Sequence, residues 1–213
     1  MLKCSASLWS ADLANLAAEI KRIEPFVQRF HIDAADGQYV NLLLFFPDLV
    51  KAMRPHTALP FEVHLITVNP FQWLDPFLEA GADSILFYPD TTPHPLAFIR
   101  AVKAAGKQVG VSLRVEDSLT LLDPYLDQLD MVTIMGTYMG VKGVSMDASV
   151  PGKIRHLRQT ITQRGLPTEI EADGGIRYES VPLIHQAGAD WIVPGSLIFN
   201  GDPARLVQFL SGL

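Results

Sequence analysis

Three short runs of this 213-residue chain carry side chains that can move protons or hold a cation: His31-Ile32-Asp33, Glu62-Val63-His64-Leu65 and Glu171-Ala172-Asp173-Gly174-Gly175. His31 and Asp33 are two residues apart, so on a β-strand they project from one face. Two imidazoles and two carboxylates meeting at one point make the donor set of a divalent ion such as zinc, iron, manganese or cobalt. A single His or Asp at a strand end often does no more than bond a neighbouring loop. Four of them at the mouth of an apolar scaffold are costly to bury unless they are paired or hold a metal. That cost favours reading His31, Asp33, His64 and Asp173 as one metal-ligand set.

Such a set needs strands to aim it. Eight short β-rich runs alternate with longer stretches of helical period: Lys3–Ser7, Gln28–Asp33, Phe61–Ile66, Ser84–Tyr88, Gln108–Arg114, Met131–Met135, Thr168–Asp173 and Trp191–Val193. Leu13, Leu16, Ile20 and Ile23 keep helical spacing, with Ser10 as the expected N-cap and Pro25 as the stop. Similar patterns fall near 70–80, 96–105, 151–164, 179–187 and 203–210. Ala80-Gly81-Ala82-Asp83 and Ala187-Gly188-Ala189-Asp190 repeat the same exit from a helix into a strand. Eight strand-helix units in a chain of this length predict a single (β/α)8 TIM barrel over residues 1–213 rather than an open doubly wound sheet. In a barrel the strand-to-helix loops form the catalytic face, so the glycine-rich loop 136–151 is a place to seek ligand contact.

Composition narrows the function classes. With 48% apolar and 19% charged residues the chain can bury one substantial core. The longest apolar run, around Leu42–Phe46, stops at Pro47-Asp48, well short of a membrane span. The N-terminal residues do not follow a signal-peptide pattern, and Cys4 is the only cysteine, so a reducing, cytoplasmic setting is expected. A net charge of −6 without any Lys/Arg run argues against nucleic acid, but not against a small phosphorylated ligand. No Gly-x-Ser-x-Gly elbow or Walker loop is present. His56, His94, His156 and His185 fall away from the strand ends and read as surface or packing residues. Trp73 and Phe77 suit either core burial or an interface in a homo-oligomer.

From Ser7 to Phe199 the chain resembles the ribulose-phosphate 3-epimerase family. The markers are Ser7-Leu8-Trp9-Ser10-Ala11-Asp12, His31-Ile32-Asp33-Ala34-Ala35-Asp36-Gly37, Val63-His64-Leu65 with Asn69-Pro70, Asp173-Gly174-Gly175-Ile176 and Gly195-Ser196. The resemblance implies that His31, Asp33, His64 and Asp173 ligate one divalent metal, and that Asp33 and Asp173 are the catalytic acid/base pair. It implies substrate contacts from Ser7 and His64, with Gly140 and Gly143 in the covering loop, and a phosphate held by Gly174, Gly175, Gly195 and Ser196. The chemistry is coherent. Inverting a carbon beside a carbonyl needs one proton removed from one face and another delivered to the opposite face, hence two acid/base groups. The enediolate between the two transfers carries negative charge that a bound cation stabilises. Backbone N–H groups at the glycines can reach an anion, and helices beginning behind them would add their positive ends.

Several positions depart from the family pattern. Ala6 replaces a usual proline, Ala35 and Ile66 replace methionines, Asn41-Leu42 stands for Pro-Asn, and Tyr88 replaces a histidine. The loop usually reading Pro-Gly-Phe-Gly-Gly-Gln is Met139-Gly140-Val141-Lys142-Gly143-Val144. Losing two methionines is expected to widen the cavity or change its polarity, favouring a ketose phosphate other than ribulose 5-phosphate, of pentulose or hexulose type. Lys142 either faces solvent or brings a charge to the phosphate. A catalytically silent sugar-phosphate-binding barrel is the alternative reading, disfavoured because all four metal-site residues are present. The related orotidine-phosphate decarboxylase type needs an Asp-x-Lys-x-x-Asp run, and here Ala35 stands where its lysine would be.

Overall fold

A computed structural model describes residues 2–213. The strands are β1 (Lys3–Ser7), β2 (Arg29–Asp36), β3 (Leu43–Leu44), β4 (Phe61–Ile66), β5 (Ser84–Phe87), β6 (Gln108–Leu113), β7 (Met131–Met135), β8 (Glu169–Asp173) and β9 (Trp191–Val193). Eight of them run parallel in the order β1-β9-β8-β7-β6-β5-β4-β2, and pairing of β1 with β2 closes the ring. The fold is the (β/α)8 barrel expected from the alternation of elements. The short β3 lies antiparallel to the end of β2, pairing Ala35 with Leu44 and Asp36 with Leu43. That pairing carries β2 to Asp36, beyond the expected end at Asp33.

The helices are α1 (Leu16–Ile23), α2 (Pro47–Met53), α3 (Pro70–Glu79), α4 (Pro95–Ala104), α5 (Val150–Arg164), α6 (Val181–Ala187), α7 (Ser196–Phe199) and α8 (Pro203–Ser211). Ser10 is not the cap of α1. It ends a 3-10 turn, Leu8–Ser10, and the helix starts after Asn15. The delay has a local cause: the Asp12 carboxylate accepts from the Ala14 N–H and the Asn15 amide, holding a turn that competes with helix, and Leu13 is left exposed. Pro47, read as the end of an apolar run, instead opens α2, because its missing N–H is harmless in a first helical turn. Between β6 and β7 the connection is made by 3-10 turns at Leu119–Leu122 and Leu126–Gln128.

The repeated Ala-Gly-Ala-Asp serves one function twice. Gly81 and Gly188 take positive φ (99° and 104°) to leave their helices. Asp83 and Asp190 then accept from N–H groups at the start of the preceding strands, those of Phe61 and Ile170. Each aspartate ties two neighbouring strands at the base of the barrel. Phe77 is buried under the helical layer. Trp73 is half-buried and lines an apolar groove of about 530 Å³ with Leu13, Leu43, Phe46 and Leu49, which reaches Asp36 at the end of β2.

Candidate active site

Strand alternation puts Arg29, His31 and Asp33 of β2, Glu62 and His64 of β4, and Glu171 and Asp173 of β8 into the barrel, all of them buried. At the mouth, His31, His64, Asp33 and Asp173 each offer one ligand atom, and these atoms lie within 4.8 Å of one another. His31 Nε2 is 3.4 Å from Asp33 Oδ1 and 3.6 Å from Asp173 Oδ2; His64 Nδ1 is 3.7 and 3.9 Å from the same two oxygens. Donors bound at roughly 2.1 Å in a tetrahedral site sit about 3.4 Å apart, so a few tenths of an ångström of contraction closes this cluster on an ion. His31 Nε2 and His64 Nδ1 are buried without a hydrogen-bond partner, a costly state that coordination would relieve. The residues therefore fit a divalent metal and form a cluster that could bind one.

Beneath this cluster runs a buried ionic layer that the sequence reading quoted but gave no role. Glu62 Oε1 lies 2.9 Å from His31 Nδ1, and Arg29 pairs with Glu62 at 2.8 Å and with Glu171. Arg29 also donates to Ser5 Oγ and lies 3.8 Å from the centre of the Trp191 ring. Thr133 Oγ1 donates to Glu171. Since Glu62 holds His31 Nδ1, Nε2 is turned toward the mouth, the arrangement by which a carboxylate orients a ligating imidazole. Glu62→Gln is expected to weaken zinc binding about 10- to 100-fold, read by calorimetric titration of the metal-stripped protein. Unchanged affinity would remove Glu62 from this role.

The two aspartates differ in proton affinity. Burial would raise both, but His31 and His64 hold the Asp33 carboxyl well below the usual range, and Ser7 Oγ donates to it at 2.9 Å. Asp173 is pushed up to about 6, by burial and then by the nearby Asp33 charge, which outweigh the lowering by His31 and His64. One carboxylate is thus set to stay ionised while its neighbour takes a proton readily.

Above the cluster lies a cavity of about 110 Å³. Ser7, Asp33, Gly140, Gly143, Asp173, Gly174, Gly175, Gly195 and Ser196 all line it, so together with His31 and His64 every predicted site residue converges on one place. Two expectations need correction. Gly174 and Gly175 do not open a helix: both take positive φ (97° and 68°) in a turn, and α6 begins only at Val181. A Cβ on Gly175 would collide with the backbone of Met146, so only glycine lets the chain pass there. The space that the lost methionines would leave is partly taken up: Tyr39, Val40, Leu42, Leu44 and Met139 pack against Ala35, Ile66, Tyr88 and Met135, and Ala35 also borders the apolar groove. Lys142 is exposed yet anchored: it lines the cavity, and its amine donates to the Trp9 carbonyl at 2.7 Å. Arg177, just beyond the Asp-Gly-Gly-Ile run, also lines the cavity; that adjacency was the signal that could have found it.

Residues 3–199 match the family described as the ribulose-phosphate 3 epimerase family. The chain belongs to that family. It is 34% identical over all of its length to a ribulose-phosphate 3-epimerase of Bacillus subtilis, covering 99% of that protein. It is 36% identical to one from a Synechocystis strain, with 91% of this chain and 86% of that one covered. Family membership places it among the carbohydrate isomerases of epimerase type. Among solved structures, a 3-keto-L-gulonate-6-phosphate decarboxylase from Vibrio cholerae superposes with a TM-score of 0.76 at 14% identity, covering 99% of this chain and 96% of that one. At that identity the likeness concerns the barrel alone. No helix among the described residues is long and apolar enough to cross a membrane.

Proposed function

We propose that the protein is a metal-dependent 3-epimerase of a pentulose 5-phosphate, interconverting the ribulose and xylulose forms by two-base proton transfer. The observation that carries this reading is the pair Asp33 and Asp173, brought from β2 and β8 to one cavity beside His31 and His64. The ionised Asp33 takes the C3 proton from one face of the sugar, and Asp173, holding a proton, returns one to the other face; the reverse reaction exchanges their roles. Ser7, bonded to Asp33, fixes the orientation of that carboxylate. A divalent cation held by His31, His64, Asp33 and Asp173 would act as a Lewis acid toward the ketone oxygen. Gly174, Gly175, Gly195 and Ser196 hold the phosphate through backbone groups, and Lys142 and Arg177 add positive charge to the same cavity.

The choice of a pentulose rests on the ribulose-phosphate 3-epimerases this chain is similar to, at 34–36% identity. A silent sugar-phosphate binder has no use for two aspartates and two histidines gathered from three strands at one cavity. The test is incubation in deuterated water with pentulose and hexulose phosphates, following label entry at C3 by NMR with and without chelator. Rapid labelling of ribulose 5-phosphate that stops on metal removal and returns with added cation is the expected result. Absence of C3 exchange with every ketose phosphate, cation present, would sink the proposal.

A further inference from the structure

Tyr88 follows β5 and is wholly buried, yet its hydroxyl has no hydrogen-bond partner among the described residues. A buried donor left unpaired costs free energy comparable to a lost hydrogen bond, so its position calls for a ligand. The ring has little freedom. It lies 5.2 Å from the His64 ring on one contact and 5.3 Å from Tyr39 on another. Tyr39 is itself pinned: its hydroxyl donates to Asp90 at 2.8 Å and accepts from Arg114 at 3.2 Å, and Arg114 pairs with Asp90 and Asp117. The phenol is therefore a rigid donor lining the same cavity as Asp33 and Asp173. Burial and the charge of Asp173 keep it protonated.

Its place on the ring says which part of a ligand it meets. In the closed order of strands, β5 is four steps from β9 in either direction, so Tyr88 stands across the barrel from Gly195-Ser196. If the phosphate rests at Gly195-Ser196, as in the reading above on which this inference depends, the far end of the sugar is C1. We infer that the Tyr88 hydroxyl donates a hydrogen bond to the C1 hydroxyl of the bound ketose phosphate and is a specificity-determining residue for that end. The chain thereby selects a 1-hydroxy-2-ketose over a ligand ending in a methyl ketone. Discrimination of this kind is strong because the methyl ketone leaves the buried phenol unpaired.

The test compares xylulose 5-phosphate with its 1-deoxy analogue, binding each by calorimetry to the zinc-loaded parent and to Tyr88→Phe. The parent should bind the 1-hydroxy compound at least about tenfold more tightly, and Tyr88→Phe should shrink that gap to less than about twofold by weakening only the 1-hydroxy compound. Zinc affinity should stay unchanged, and the melting temperature should not fall, because the substitution removes an unpaired group while keeping the ring. An equal loss for both ligands, an unchanged gap, or a lower melting temperature with weakened zinc binding would each overturn the inference. Epimerisation at C3 leaves the C1 group of either ligand unchanged, so the gap is read independently of turnover and the two ideas fail separately. A gap with no C3 exchange removes the epimerase reading and keeps this one; C3 exchange with no gap does the opposite.

Discussion

Asp173→Asn and Asp33→Asn should each lower epimerisation about a thousandfold, the scale of a positioned acid or base removed from its proton path. An amide keeps the shape of the carboxyl and some capacity as a ligand but cannot accept and return a proton. The losses should be one-sided in an informative way. With one aspartate gone, the other can still exchange the C3 proton of the epimer that presents its hydrogen to that side. Proton NMR in deuterated water should therefore show label entering one epimer without interconversion, and the favoured epimer should switch between the two variants. Near-parental turnover in either variant would strip that residue of its assigned part. A titration of the two carboxyls adds a check. With Asp173 raised to about 6 and Asp33 held low, the Asp173 carboxyl resonance of the metal-stripped protein should shift near neutrality while that of Asp33 stays constant.

The second large effect concerns stability. Arg29→Met removes the guanidinium that pairs with Glu62 and Glu171 while leaving both carboxyls buried. Breaking a buried pair from one side costs about 3–5 kcal/mol, because the remaining charge is stranded in a medium of low polarity. Urea denaturation should show that loss as a lower midpoint. The deficit should deepen with pH. Burial and the Glu62 charge raise the Glu171 carboxyl from its ordinary 4.5 to about 8, with Arg29 acting against them. A carboxyl raised in the folded state contributes stability that is complete below pH 4.5 and is lost as pH rises through 8. Without Arg29 the ionised form is worse still, so the gap between variant and parent should be larger at pH 8 than at pH 6. A gap that is flat or shrinks over that interval would contradict this account of the layer.

Much of the site was legible because it rests on local rules. Period-two spacing put His31 and Asp33 on one face, and strand-end positions put His64 and Asp173 at the same end. The same rule applies to Arg29, Glu62 and Glu171, each two residues from a predicted ligand, and the ionic layer they form could have been suspected on that ground. What spacing could not tell is that Arg29 reaches both glutamates. β2 neighbours β4, but β8 lies elsewhere on the ring, and only closure brings Glu171 across to it. The cavity followed the same divide. Ala35 and Ile66 are smaller than the expected methionines, yet Tyr39, Val40 and Leu42, close to Ala35 in the chain but far from Ile66, and Met139, far from both, pack beside them.

The sequence by itself determined the barrel, the shared face of His31 and Asp33 and the four residues of the candidate metal site, because alternation and turn chemistry act between residues close in the chain. Only the tertiary structure decided how Asp33 and Asp173 differ in proton affinity, what lines the cavity above them, and that the Tyr88 hydroxyl has no partner among the described residues. Those properties depend on distances between strands and on exclusion of water, and both come into being only when the ring closes.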